Sequence, residues 1–351
     1  MTQAYLVAAA KETDGNGSLA PVERHLERLK QRNVEVPELS IEPLSADWHT
    51  PEAADRFRSG CGPIEALAEA CKLLADGASA VVIRGKDMIK TGYPRDERLQ
   101  KMAIYGDDYP LTQGYDEVAQ QFIQYQQSDA EQFKSVASAL FENYQRTYSA
   151  ENPEATPPGE RWFEPLTSLF RGVDCANPII DFHGALLICD AATADQLEIP
   201  SQQRLKIRGI GLGRLPDDGK EQIPDIARYD HLQEAYQAGC NQAGINFTDS
   251  FKRGDALLDT YTCYPVVPMA FLLNSGMVSS LEEIPGFLAQ YPITVTGGMN
   301  LARAPWNNPA LNGLISMYKK LCEGDITLGA VHGNGGLGYR QGIAILERSD
   351  G

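Results

Sequence analysis

One unit appears twice in this chain, once near each end. Cys61-Gly62-Pro63 opens a segment with apolar residues at Ile64, Leu67, Ala68, Cys71 and Leu74. That spacing predicts a helix, and Pro63 suits a first turn, where a missing N–H costs no hydrogen bond. Asp76-Gly77 stops it. Ala80-Val81-Val82-Ile83 then reads as a strand buried on both faces, closed by Gly85. Pro309 to Leu321 repeats the helix, Glu323-Gly324 the stop, Ile326 to Val331 the strand and Gly333 the close. A helix running straight into a buried strand is an α/β building block. Its recurrence predicts a chain made of two related halves.

Other strands are predicted at residues 4–10, Ala185 to Cys189, Lys206 to Leu212, Leu257 to Thr262, Pro292 to Thr296 and Ile343 to Leu346. Pro21 to Lys30 reads as a helix. Residues 91–178 differ in character, with few strand-like runs and many Gln, Tyr and Phe. Ser128-x-x-Glu131 is a capping-box pattern, and Phe133, Val136, Ala137, Leu140, Phe141 and Tyr144 share one helical face behind it. A largely helical insertion follows. The expected division is 1–90, an insertion at 91–178, a return at 179–198, and 199–351.

The formal charge of −16 would repel a polyphosphate backbone, so nucleic acid is not an expected partner. Seven widely spaced cysteines with no Cys-x-x-Cys pair argue against a disulfide framework or zinc site. They fit a reducing cytoplasm. No run reaches the roughly 20 apolar residues of a membrane span. Gly209-Ile210-Gly211-Leu212-Gly213 lacks the dinucleotide-loop spacing and runs into Pro216, not a helix. Arg204, Lys206, Arg208 and Arg214 are expected to alternate on a solvated strand edge.

An ordered set of motifs resembles the thiolase superfamily, in particular the sterol-carrier-protein-type thiolase-like proteins. Asp181-Phe182-His183-Gly184-Ala185 is similar to their Asp-Gly-Ala-Ala strand. Tyr261-Thr262-Cys263-Tyr264-Pro265 is similar to their Tyr-Ser-Cys-Phe-Pro segment. Thr294-Val295-Thr296-Gly297-Gly298, with Ala304-Pro305 and Asn307-Asn308, resembles the stretch that carries Gly-His-Pro. His332-Gly333-Asn334-Gly335-Gly336 resembles the final glycine-rich loop. The resemblance implies the thiolase fold: two βαβα halves in five layers, α-β-α-β-α, with a mainly helical loop domain inserted. It also implies acyl-CoA thioesters as substrates or ligands, no covalently bound cofactor, no metal, and a homodimer.

Thiolases use a cysteine at a helix N-terminus, where the dipole lowers the thiol pKa. Ungapped spacing puts Gly60 at that position; a one-residue gap puts Cys61 there. The Gly-His-Pro histidine is replaced by Ala304, which can neither activate a thiol nor donate to an oxyanion. The resemblance further implies Cys263 or His332 as proton carrier, an oxyanion hole at Gly333, Gly335 and Gly336, and substrate contacts from Gly297, Gly298, Arg303 and His183. Tyr261 stands at the position that orients water or substrate. His25, His49 and His231 read as surface residues.

The first expectation is an acetyl-CoA acetyltransferase-like enzyme of lipid metabolism, transferring an acyl group or cleaving a 3-oxoacyl-CoA with a reduced catalytic set. The second is a retro-aldol lyase on a 3-hydroxyacyl-CoA, using Tyr261 or Tyr339 and a small partner subunit. The third is an acyl-CoA binder without catalysis.

Overall fold

The computed structural model describes residues 3–47, 49, 51 and 53–349. Its strands are β1 (Tyr5–Thr13), β2 (Asn16–Gly17), β3 (Glu38–Ile41), β4 (Arg56–Phe57), β5 (Ala80–Met88), β6 (Asp181–Cys189), β7 (Leu205–Arg214), β8 (Ala256–Asp259), β9 (Leu328–Gly335) and β10 (Arg340–Arg348). The helices of the first half and insertion are α1 (Ala20–Gln31), α2 (Gly62–Ala75), α3 (Arg95–Met102), α4 (Leu111–Tyr125), α5 (Ala130–Glu151) and α6 (Ala191–Gln196). Those that follow are α7 (Ile223–Ile226), α8 (Asp230–Ala243), α9 (Phe247–Lys252), α10 (Val266–Asn274), α11 (Ile284–Gln290) and α12 (Pro309–Glu323).

The strands form one ten-stranded sheet in the order β4-β3-β5-β6-β1-β7-β10-β9-β8, with β2 hairpinned onto β1. It is two sheets joined at one edge. Starting from each first strand, the order is β1-β6-β5-β3-β4 on one side and β7-β10-β9-β8 on the other. The directions repeat as well: two antiparallel steps, then parallel ones. β1 and β7 pair only at Tyr5 and Leu6. The expected strand over Pro292 to Thr296 does not form. The residue after β8 meets the segment through a backbone bond, Thr260 N–H to the Ile293 carbonyl at 2.9 Å.

Helices fill the spaces the sheet leaves. α2 and α12 lie between the two halves, with Ile64, Leu67, Leu311 and Leu314 packed on Ile83, Leu186, Val331 and Leu346. α1 covers the outer face of the first half through Val22 and Leu29. α8 and α10 cover the outer face of the second. This gives the five layers. The alternating glycines of β7 explain the intimacy of α8: a Cβ at Gly211 would lie 1.7 Å from the Ala235 carbonyl oxygen. Only a strand without side chains on that face lets the helix backbone descend so far.

Several local expectations change. Gly85 and Gly333 lie inside their strands rather than closing them. Asp129, not Ser128, caps α5, accepting from Gln132 N–H at 2.8 Å. β7 is an internal strand, and its Arg208 pairs with Glu347 of β10. His231 is buried and hydrogen-bonds the Gly338 carbonyl at 2.6 Å. Between β3 and β4 no helix occurs among the described residues, whereas α10 follows β8 in the second half. The outer face beside α1 is polar: Arg84 pairs there with Glu23 of α1 and with Glu38 of β3.

Candidate active site

The two central helices start side by side. Ser59 N–H, just before α2, donates to Asn307 Oδ1, just before α12, at 3.0 Å. Asn307 Nδ2 in turn donates to the Glu42 carbonyl at 3.0 Å. This clasp brings Gly60 against the segment that follows β8. An ideal Cβ on Gly60 would lie 1.9 Å from the Tyr261 hydroxyl and 2.4 Å from the Asn334 carbonyl oxygen. The phenol of Tyr261 therefore occupies the room that a side chain at position 60 would need.

Cys61 does not face that space. It is fully buried, and its Sγ points at β10, where a Cβ on Gly342 would meet it at 2.9 Å. Burial pushes its thiol well above the ordinary cysteine range, and the nearby Glu65 carboxylate adds to the effect. A helix N-terminus lowers a thiol pKa only where the thiolate keeps some solvation or a cationic partner. Cys61 thus lacks the environment of a nucleophile.

Beyond Tyr261 opens a cleft of about 470 Å³. Its lining includes Tyr115 of α4, Cys263, Tyr264, Met299, Trp306 and Gly336. The rings of Tyr115 and Tyr264 stack with centroids 4.1 Å apart. Leu99 and Met102 of α3 stand at the cleft, and Asp107 is the one carboxylate in its lining among the described residues. A small void of about 10 Å³ adjoins the cleft beside Ala304, bounded by Asp259, Thr260, Tyr261 and His332. The Thr260 hydroxyl is buried without a partner.

His332 is not a free base in this cleft. Its Nε2–H donates to Gln341 Oε1 at 2.8 Å, and Nδ1 accepts from Tyr261 N–H at 3.4 Å, the tautomer the network requires. Burial lowers its pKa to about 4, so the ring is neutral. Gln341 Nε2 passes the chain to Asn334 Oδ1 at 2.7 Å, and Asn334 Nδ2 donates to the Tyr115 hydroxyl at 2.9 Å. Tyr115 donates to the Gly336 carbonyl at 2.6 Å and accepts from Cys263 Sγ at 3.4 Å. This buried chain fixes the backbone of Tyr261 and the glycine loop together. Burial pushes the Tyr261 and Tyr115 hydroxyls well above the ordinary phenol range. Burial also takes Cys263 to about 12. All three hold their protons at neutral pH.

The remaining sequence candidates separate. Gly336 lines the cleft, while Gly333 and Gly335 lie within β9, opposite Gly342 and Arg340. Gly297 and Gly298 have positive φ, 90° and 82°, and pack against Tyr148 and Tyr144 of α5. Arg303 is exposed and absent from the cleft lining, but with Gly298 it borders the small void beside Tyr261 and His332. His183 lies on the outer sheet face, between Glu12 and Lys86. It is absent from the cleft lining. Tyr339 lies behind the glycine loop and not in the cleft lining. Tyr115, Asn334 and Gln341 were not singled out from the sequence. A lone glutamine in an apolar strand was the available signal for Gln341.

No family model matches the chain, and no curated protein matches it. Solved structures do. A monomeric SCP2-thiolase-like protein of type 1 from Mycobacterium smegmatis superposes with a TM-score of 0.69 at 16% identity, over 99% of this chain and 78% of that one. The Ltp2-ChsH2(DUF35) aldolase superposes with a TM-score of 0.66 at 16% identity, over 99% of this chain and 98% of that one. Likeness at this identity speaks to architecture alone, and that architecture is the thiolase fold.

Proposed function

We propose that this protein is a carbon–carbon lyase acting on a 3-hydroxyacyl-CoA by retro-aldol cleavage, rather than an acyltransferase. One observation carries the reading: the Tyr261 hydroxyl fills the space above Gly60, and Cys61 is turned into the core. With no thiol in the cleft at that position and alanine at 304, acyl transfer lacks both nucleophile and base. In the lyase reading the C2–C3 bond breaks as the 3-hydroxyl gives up its proton. The electron pair collects on the thioester oxygen as an enolate. A protonated Tyr261 donates to that oxygen, a role suited to a phenol whose pKa burial has raised. Asp107 is assigned as acceptor of the hydroxyl proton. The fold is shared with an aldolase whose name pairs it with a DUF35 component. That supports a small partner subunit here too.

The test is liquid chromatography and mass spectrometry of a 3-hydroxyacyl-CoA, incubated with the protein alone and with a co-encoded DUF35-type partner. The expected result is a shorter acyl-CoA plus a carbonyl product, lost in Tyr261→Phe. An acyl adduct on Cys61 in the intact protein would return the assignment to acyl transfer. Thermal stabilisation by the ester without cleavage in either mixture would leave a binder.

A further inference from the structure

A second cavity lies behind the loop that walls the cleft. It is a groove of about 1270 Å³, opening where β1 and β7 part after Leu6. The exposed edge of β1 forms one side and the outer face of α12 the other. At its floor Lys11 is half-buried, with Nζ donating to Asn312 Oδ1 at 2.7 Å and to Ser316 Oγ at 3.1 Å. An ammonium has three donors, so one remains for the groove. Burial lowers the pKa of this amine, an existing cost that a bound anion would relieve.

Arg24, Arg303 and Lys319 also line the groove, and none of them forms an ion pair among the described residues. Of the carboxylates that line it, Asp14 is held by Lys90 and Glu151 by Lys320, which leaves Glu323. A chain of net charge −16 thus gathers four cations around one opening, with Asp259 near Lys11 and Asp14 near Arg303 offsetting them in part. Field lines concentrate in such a groove and favour a multiply charged anion.

The partition between groove and cleft is a single loop. Leu301, Ala302 and Arg303 line the groove, Met299, Ala304 and Trp306 line the cleft, and Ala302 and Arg303 also reach the small void between them. Two of its non-glycine residues, Arg303 at φ 54° and Trp306 at φ 29°, sit in the left-handed region. Such strain persists only where the surroundings enforce it. We propose that the groove binds a phosphorylated anion through Lys11, Arg24, Arg303 and Lys319, and that its occupancy is transmitted to the cleft through residues 299–306. This site is separate from the lyase reading, and its test needs no turnover.

Calorimetry with inorganic pyrophosphate and with ADP, at low ionic strength, is compared between wild type and the double variant Arg24→Glu/Lys319→Glu. Both probes are expected to bind wild type, and the double variant to bind at least tenfold more weakly with an unchanged melting temperature. Arg303→Gln replaces it should the double variant fold poorly. Tighter binding of ADP assigns a nucleotide; equal binding assigns a bare phosphate group. Trp306 emission, isolated by difference against Trp306→Phe, is expected to shift on saturation. No binding of either probe, or equal binding by the charge-reversed protein, overturns the site. Binding with Trp306 emission unmoved overturns the transmission.

Discussion

The starts of α2 and α12 are neighbours built on the same plan, yet the gap beside each is filled from opposite sides. Each helix opens with proline in its first turn and without a side-chain cap. Each lies over a strand of the opposite half, α2 over β9 and β10, α12 over β5. At α2 the missing side chain is on the helix side, at Gly60, and a tyrosine from the other half enters the space. At α12 it is on the strand side, at Gly85. Asn308 itself fills the gap: a Cβ on Gly85 would lie 1.8 Å from Asn308 Oδ1. The Asn308 amide is fully buried with neither atom partnered. A duplicated fold thus offers two equivalent helix starts. Which one admits a tyrosine depends on which side of the contact the glycine stands.

The largest effect that would test this contrast comes from Tyr261→Phe. It removes one hydroxyl and keeps the ring, so the fold should survive. Loss of an oxyanion donor of this kind costs about 100- to 1000-fold in rate. Steady-state cleavage assays with the partner present measure it. A Tyr261→Phe enzyme of normal rate would remove the phenol from the chemistry and make the two helix starts equally inert.

A double-mutant comparison distinguishes the two glycines next. Gly60→Ala and Gly85→Ala each force a methyl into an occupied space, at an expected cost of about 1–3 kcal/mol in urea denaturation. Their rescues should differ. Asn308→Ala removes a buried amide that has no hydrogen bond to lose, so Gly85→Ala/Asn308→Ala should recover most of the loss. Tyr261→Ala removes only the phenol from the clash at Gly60 and leaves the Asn334 carbonyl oxygen at 2.4 Å, so it should recover little and leave the protein inactive. Equal behaviour of both pairs would mean that Asn308 has a partner in solution.

The halves were readable in the sequence because burial leaves a strong periodic signal. The helix from Gly62 and the strand from Ala80 are set by apolar spacing that nothing else explains. Strand ends were less readable. Gly85 and Gly333 look like stops, but here glycine answers a helix crossing the sheet, a long-range demand invisible locally. The segment near Val295 has strand composition and yields none; Asp259 Oδ1 instead takes the Val295 and Thr296 N–H groups, at 2.9 and 3.0 Å. At the site, motif order located Tyr261, Cys263 and Gly336 in one cleft. It could not orient the Cys61 thiol, since helix phase shifts by about 100° per residue. Tyr115 was hidden in an insertion rich in aromatics, most of which simply pack.

Buried carboxyls offer a smaller contrast between the halves. Asp87 in β5 and Asp259 in β8 are each raised to about 6, chiefly by burial. The folded state then holds each proton more tightly than the unfolded chain. Stability from each is full below the unfolded value near 3.8 and is lost as pH rises through about 6. Each is worth on the order of 2–3 kcal/mol. Denaturation between pH 4 and pH 7 should therefore show stability falling with pH. Asp259→Asn keeps the acceptor for Val295 and Thr296 and should flatten half of that slope. A slope unchanged in Asp259→Asn would place the whole effect in the first half.

The smallest expected effect is at Cys61, and its smallness is the point. If α2 presents Gly60 and not Cys61 to Tyr261, Cys61→Ala removes only a buried sulfur. Its cost should be on the order of 1 kcal/mol, with cleavage unaltered. The thiol should resist iodoacetamide in the native protein, because burial keeps it protonated and out of reach. Cys71, Cys240 and Cys322 are only partly buried and should be alkylated before it. Peptide mapping after brief exposure reads all four at once. Early labelling of Cys61 would show that α2 opens to expose the thiol, and the difference between the two helix starts would then be one of dynamics rather than of side-chain placement.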